Sequence, residues 1–358
     1  MHQQTGRATD RKRGVGRCLV IGLATVMLRP PLASAQAAPT VQAPAAPVAA
    51  PPSPPTSAPP SAAPILTPPP APPTTAPLQE VTVAAPEPRY VAPTRRDRIG
   101  RIWAPVFLNG QGPFRLVLDT GANRSAVIPS VAAALGDKAR TTSSMRLRGV
   151  TGTAIVPVIR VDRMDIGDLV LEPARLPVVP DVFGGADGVL GNEGLLDKRI
   201  VIDFKRDAIS VKRSRRQRAP AGFQTLPITF MRDHLIVIDV QVGRVQAKAI
   251  IDSGAPDSLA NKALLDALKR QQQAHPSTEI IGVTLDVERG QRVAVPTIRM
   301  QDIKIGNATL TFSDVYIFQH WHLTSEPVIL LGMDVLGVLD QIIIDYKTRE
   351  LQIRTEGQ

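Results

Sequence analysis

The chain has 358 residues and a formal charge of +10, long enough for two domains with cores of their own. Its single cysteine, Cys18, lies near the N-terminus, so the remainder carries no disulfide, no thiol nucleophile and no thiolate metal site. The basic excess is split evenly between residues 1–35 and the rest and comes with no aromatic-plus-basic motif, which excludes the usual signature of a nucleic-acid-binding protein.

Residues 1–35 read as a secretory signal peptide. Arg11, Lys12, Arg13 and Arg17 form a positive n-region, Cys18 to Leu28 is an apolar run too short to span a bilayer, and Ala33-Ser34-Ala35 supplies small residues for cleavage before Gln36. The expectation is an exported protein, periplasmic or secreted, with an uncleaved leader anchored to the inner membrane as the alternative. Residues 36–98 form a Pro/Ala-rich linker, as in Pro51-Pro52-Ser53-Pro54-Pro55. Proline favours extended polyproline II, and the apolar bulk is too small to offset the entropy of ordering. The segment reads as a disordered arm, either a tether to the envelope or a spacer without a partner.

From residue 99 the chain repeats itself. Phe114-Arg115-Leu116-Val117-Leu118-Asp119-Thr120-Gly121-Ala122 returns as Ala247-Lys248-Ala249-Ile250-Ile251-Asp252-Ser253-Gly254-Ala255. Val189-Leu190-Gly191 returns as Leu330-Leu331-Gly332, and Ile200 to Phe204 as Ile342 to Tyr346. The offset is 133 residues at the aspartates and 141 at the glycines, so the second copy contains a longer loop. The local patterns are strands rich in Val, Ile and Leu. Trp103 to Leu108 and Phe114 to Leu118 flank the hairpin signal Asn109-Gly110-Gln111-Gly112; Leu235 to Val242 and Val245 to Ile251 flank Gly243. Short helices are expected at Ser130 to Leu135 and from Asn261 to about Gln273. The division is therefore a first lobe, 99–212, a basic linker, 213–222, read as solvated or as a processing site, and a second lobe, 223–358.

Each repeated loop has a chemical logic. An apolar strand delivers an aspartate to a dry interior, where a carboxylate is costly unless hydrogen-bonded or paired. The glycine two places on lets another backbone approach, and the small hydroxyl of Thr120 or Ser253 can bond the facing loop. Two such loops meeting on a pseudo-twofold axis would set Asp119 beside Asp252. Two adjacent carboxylates do not both ionise easily; sharing one proton, they supply an acid and a base without histidine, metal or cofactor.

This constellation resembles the bacterial retropepsin-like aspartic peptidases over roughly residues 99–356. The resemblance implies an all-β, bilobed acid-protease fold with a few short helices. It also implies catalytic roles for Asp119 and Asp252, loop-locking roles for Thr120 and Ser253 beside Gly121, Ala122, Gly254 and Ala255, and a ψ-shaped thread behind each loop ending at Gly191 and Gly332. Retroviral members carry an arginine after that glycine and pair two identical chains; Asn192 and Met333 stand there here. Two copies in one chain are read instead as a monomer acting on a polypeptide substrate. Flaps are expected at Met145 to Val158, with Gly149-Val150-Thr151-Gly152 at the tip, and at Ile280 to Pro296, with Gly290 near the tip; neither holds the flap tyrosine of pepsins. The functional alternative is a non-catalytic peptide- or cell-wall-binding envelope protein. His320-Trp321-His322 has spacing for two metal ligands on a strand but no third, and is read as packing. Asp203 and Asp345, at matched strand ends, are read as hairpin terminators, and His234 and His275 have no identifiable partners.

Overall fold

The structure is a computed structural model describing residues 101–355 apart from 168, 233–234 and 270–275, with the backbone at 19–20 and 91–93. The expected leader and Pro-rich arm otherwise lie outside the described residues, as do His234 and His275.

The first hairpin shows how the sequence sets local structure. Strands Trp103–Leu108 and Gln111–Leu118 are joined by Asn109-Gly110, whose φ values of 49° and 74° are those of a two-residue type I′ turn. The loop is thus two residues, not the four of the sequence signal, because Gln111 and Gly112 already belong to the second strand. The corresponding hairpin of the second lobe, Leu235–Val242 and Val245–Ile251, turns at Gly243, φ 58°.

Each hairpin sits in a sheet of the same design. In the first lobe the strand order is Ala126–Val127, Gly188–Leu190, Gln111–Leu118, Trp103–Leu108, Met164–Ile166, Leu169–Leu171; in the second it is Leu259–Ala260, Val328–Leu331, Val245–Ile251, Leu235–Val242, Ile298–Met300, Ile303–Ile305. Six strands in one order confirm that the sequence repeat is a structural repeat. In both lobes the strand ending at the repeated glycine runs parallel to the strand ending at the repeated aspartate, pairing Leu190 with Leu118 and Leu331 with Ile251. Those strands are buried on both faces, Leu116, Val117 and Leu118 as fully as Ala249, Ile250 and Ile251, as continuous apolar runs require.

A third sheet joins the lobes. Lys198–Asp203 and Gln341–Asp345, repeat mates, pair antiparallel with Val201 opposite Ile343, flanked by Ala208–Arg213 and Val91–Pro93 on one side and by Glu350–Arg354 and Gln224–Pro227 on the other. At its centre Arg199, 3% exposed, donates to Asp345 at 2.9 Å and to Gln352 at 2.7 Å. Residues between the lobes are tied to this sheet: Ser214 is buried and its hydroxyl donates to Asp345 at 2.9 Å.

The helices are short. Pro129–Leu135 starts on proline at its first position. Lys262–Ala267 is capped by Asn261, whose Oδ1 accepts from Leu264 N at 3.1 Å. Among the described residues no helix is long and apolar enough to cross a membrane.

The remaining strands include two long hairpins, the expected flaps, each with a further flap-sheet strand at its side: Ala174–Pro177 beside Thr153–Val161 in the first lobe and Thr309–Phe312 beside Val287–Ala294 in the second; Thr229–Met231 pairs with Leu235–Val242. In the first lobe Arg140–Arg148 pairs with Thr153–Val161 around a turn at 149–152, with Leu19–Val20 parallel to Leu147–Arg148. In the second lobe Ser277–Ile281 pairs with Val287–Ala294 around 282–286. This corrects the second tip: Gly290 lies within a strand, opposite Thr278. The positive φ at the turn belongs to Leu285, at 65°, a residue with no turn signature.

Candidate active site

The two aspartates lie where the parallel strands of the two lobes end, and both are wholly buried. Each loop is closed by its own carboxylate. Asp119 Oδ1 accepts from the amides of Gly121 and Ala122 at 2.8 and 2.9 Å, and Asp252 Oδ1 from those of Gly254 and Ala255 at 3.0 and 3.2 Å.

The loops are then locked to each other through residues 120 and 253. Thr120 Oγ1 donates to the Ile251 carbonyl at 2.7 Å and accepts from Ser253 N at 3.1 Å. Reciprocally, Ser253 Oγ donates to the Leu118 carbonyl at 2.8 Å and accepts from Thr120 N at 3.2 Å. This fourfold lock presses each aspartate against the glycine of the other loop. A β-carbon on Gly121 would stand 2.7 Å from Asp252 Cγ, and one on Gly254 would strike the Asp119 carboxyl group, so neither position can carry a side chain.

The repeated glycines are held from behind. Gly191 N donates to Ser125 Oγ at 3.0 Å and Gly332 N to Ser258 Oγ at 2.9 Å. The strand before each glycine supports the aspartate itself, through Asp119 N to the Leu190 carbonyl at 2.9 Å and Asp252 N to the Leu331 carbonyl at 3.0 Å. Behind the serines stand a second pair of acids: Glu193 accepts from Ser125 N at 2.7 Å, and Asp334 accepts from Ser258 Oγ at 2.6 Å.

The electrostatics favour one shared proton. Burial, and then the charge of Asp252, hold Asp119 well above the usual carboxylate range. Burial also raises Asp252, to about 7, against the opposing effect of the hydrogen bond from Asp119 and of the Gly254 and Ala255 amides. Each carboxyl group lies against the glycine of the other loop, and Oδ2 of each accepts from no group among the described residues. Two equivalent acids in a dry site titrate as a pair, one proton far more readily held than two are released.

The flap tips meet on the same axis. Val150 and Thr151 are buried at the first turn; Thr151 Oγ1 accepts from Gly282 N at 3.0 Å and stands 3.5 Å from Thr284 Oγ1. Thr151 and Thr284 are 133 residues apart, as are Asp119 and Asp252. A contact between repeat mates straddles the pseudo-twofold axis, so the flap contact and the dyad lie on one axis and the tips close the cleft over the carboxylates.

Sequence reasoning thus placed the dyad, the lock, both repeated glycines and the first flap turn in positions that come together. It missed Gly282-Val283-Thr284, the mates of Gly149-Val150-Thr151; the 133-residue offset, followed past the aspartate loops, would have found them. It also missed two buried polar side chains. Arg101, whose charge opposes the upward shift of Asp252, is fully buried and donates to the Phe183 carbonyl at 2.6 Å. Tyr346, repeat mate of Phe204, has its phenol pushed up by burial and by Asp119. No sequence signal marks either one, because a lone arginine before a strand and an aromatic after one are commonplace.

The other polar clusters are structural. His320 ends the helix Tyr316–His320, Trp321 beside it is buried, and neither is on a strand. Among the described residues no three His, Cys, Asp or Glu side chains are grouped to hold a metal. Asp203 accepts from Arg206 N at 2.9 Å, and Asp345 from Lys347 N and Thr348 N at 3.2 and 3.1 Å, closing their turns.

No curated protein matches the chain. A family model described as aspartyl protease matches residues 104–193 and 238–335, running in each lobe from the first hairpin through the aspartate loop to just past the repeated glycine. With over half of the chain matched, in two segments that each contain one aspartate of the dyad, the protein belongs to the aspartyl protease family.

Proposed function

We propose that the protein is an aspartic endopeptidase whose single active site is assembled from both lobes, with Asp119 and Asp252 as the catalytic pair. The observation that carries this reading is the reciprocal lock of Thr120 and Ser253, which holds two buried carboxyl groups, each against the glycine of the other loop, between strand ends. In the reaction a water lies between the carboxylates and loses a proton to the ionised one. The resulting hydroxide attacks the scissile carbonyl carbon while the protonated carboxyl group hydrogen-bonds to the carbonyl oxygen, giving a tetrahedral gem-diol. Its collapse breaks the C–N bond as a proton passes to the leaving amine. No covalent intermediate and no cofactor are needed. The substrate is a polypeptide bound extended beneath the flaps.

The test is cleavage of a peptide library by the wild type and by Asp119→Asn and Asp252→Asn. Each substitution removes the alternation of acid and base, so each is expected to abolish turnover while leaving the far-UV spectrum unchanged. Cleavage at near wild-type rate by either variant would refute the dyad; binding of library peptides without cleavage by the wild type would favour a peptide-binding protein. The leader supports export to the periplasm or beyond, with the Pro-rich arm as a tether to the envelope. N-terminal sequencing of the exported form is expected to begin at Gln36, and an intact leader recovered from membranes would favour an anchor. Because both halves of the site come from one chain, the active species is expected to sediment as a monomer.

A further inference from the structure

The two copies differ most just before the repeated glycine. Ten residues, 178–187, connect the last flap-sheet strand to Gly188–Leu190 in the first lobe, whereas fifteen, 313–327, make the same connection in the second. The longer connection folds as the helix Tyr316–His320. Its contacts reach both flaps. Tyr316 N donates to Glu288 Oε1, on the second flap, at 3.0 Å, and the next amide, Ile317 N, donates to the Val150 carbonyl at the tip of the first flap at 3.0 Å.

The side chains follow the same path. Val150 is fully buried in a cluster whose other members all come from the second lobe, among them Ile280, Ile317, Phe318, Trp321 and Ala255. The tip of the first flap therefore packs into the other lobe's core, and that core extends to Ala255, the residue whose amide bonds Asp252. Opening the first flap means exposing Val150, breaking the Ile317 bond and separating Thr151 from Gly282 together.

We propose that the segment 313–327 is a latch joining both flaps, in which Val150, Ile317 and Glu288 are positioning residues that hold the hairpins closed over a bound peptide. The role rests on the reading of the cleft as a peptide site. Consecutive amides bind one flap each, so the two tips are coupled through a single rigid turn as well as through their direct contact. A peptide enters and leaves at the rate at which the latch yields, while the dyad is untouched by it.

The experiment compares the full chain with Val150→Ala, Ile317→Ala and Glu288→Ala variants by amide hydrogen exchange without substrate. Val150→Ala and Ile317→Ala are expected to speed exchange at residues 149–153 by about tenfold or more, and Glu288→Ala at 282–288, with exchange in the central strand Lys198–Asp203 unchanged. In a Trp103→Phe background, which leaves Trp321 as the one remaining tryptophan, Val150→Ala is expected to move the emission to the red as water reaches the cluster. With a cleavable peptide the same variants raise KM by about tenfold and change kcat by less than about twofold, the mark of a lost uniform binding term. Unchanged exchange at both hairpins in both Val150→Ala and Ile317→Ala overturns the latch, as does faster exchange spread equally over Lys198–Asp203, which would mean general unfolding. Exchange needs no turnover, so a wild type that fails to cleave peptides counts against the peptidase reading alone.

Discussion

Replacing Thr120 by valine tests the lock on which the dyad depends. Valine keeps the shape of threonine but has no hydroxyl, so the Ile251 carbonyl loses its donor at 2.7 Å and the Ser253 amide its acceptor at 3.1 Å. Both groups lie in the buried contact between the lobes, and stranding a buried polar group costs about 1–3 kcal/mol. The expected loss is thus about 2–6 kcal/mol, a large share of the roughly 5–15 kcal/mol that stabilises a domain. Thr120→Ser is the control: it keeps the hydroxyl and gives up one buried methyl, at about 1 kcal/mol. Urea unfolding of the full chain reads both variants. Trp103 reports on the first lobe and Trp321 on the second, so a lock that fails before the lobes do will separate the two emission signals in the valine variant. A valine variant within about 0.5 kcal/mol of the serine variant, with coincident transitions, would refute the argument that these two bonds join the lobes.

Three further outcomes follow from the same geometry. The dyad acids have folded pKa values above the unfolded value of about 4, so their contribution to stability is full at low pH and is lost as pH rises through the folded value, about 7 for Asp252; thermal melts are expected to fall across pH 4–7, and Asp252→Asn to flatten that fall. Asp345 behaves oppositely: burial pushes it up, but bonds from Ser214, Thr348 and Arg199 bring it below its usual range, so its contribution is lost on acidification, and Asp345→Ala, which leaves the buried Arg199 bonded to Gln352 but without its counter-charge, is expected to cost about 3–5 kcal/mol in urea unfolding at neutral pH. Ala122 and Ala255 place buried methyls where a serine hydroxyl could donate to the adjacent aspartate; the double Ser variant is expected to move the kcat/KM profile about one pH unit towards acid, and an unmoved profile would show that these side chains do not set the dyad's ionisation.

Most of this site was legible because its residues touch their own repeat mates. Thr120 bonds the loop of Ser253 and Asp119 faces Asp252, so each pair must suit a shared axis and the repetition shows in the chain. The Asn109-Gly110 turn was legible for a local reason, since two successive positive φ values select that dipeptide. The second flap turn was not, because its positive φ falls on Leu285 and is sustained by the hairpin around it rather than by the residue's own preference. Arg101 and Tyr346 were illegible for another reason: their burial depends on contacts between segments far apart in the chain, Arg101 with Phe183 and Tyr346 with the ring of Phe230 at 5.8 Å, which no local pattern records.

Joining both halves in one chain changes what each half can become. In a pair of identical chains every substitution appears twice, so a residue useful on one side of the axis must be tolerated on the other. Here the two copies differ at several positions away from the axis. Glu193 reaches the amide of Ser125, whereas the shorter Asp334 reaches the hydroxyl of Ser258. Phe204 is answered by Tyr346, and the ten-residue connection 178–187 by the fifteen residues that build the helix against Val150. A fifteen-residue connection in both lobes would place a second such helix beside Val283, which is already buried, and a β-carbon on Gly149 at the opposing tip would stand 3.0 Å from it. The largest of these asymmetries thus lies in the connection packed against the first flap tip, while the axis keeps the paired aspartates that two carboxyl groups need in order to share a proton.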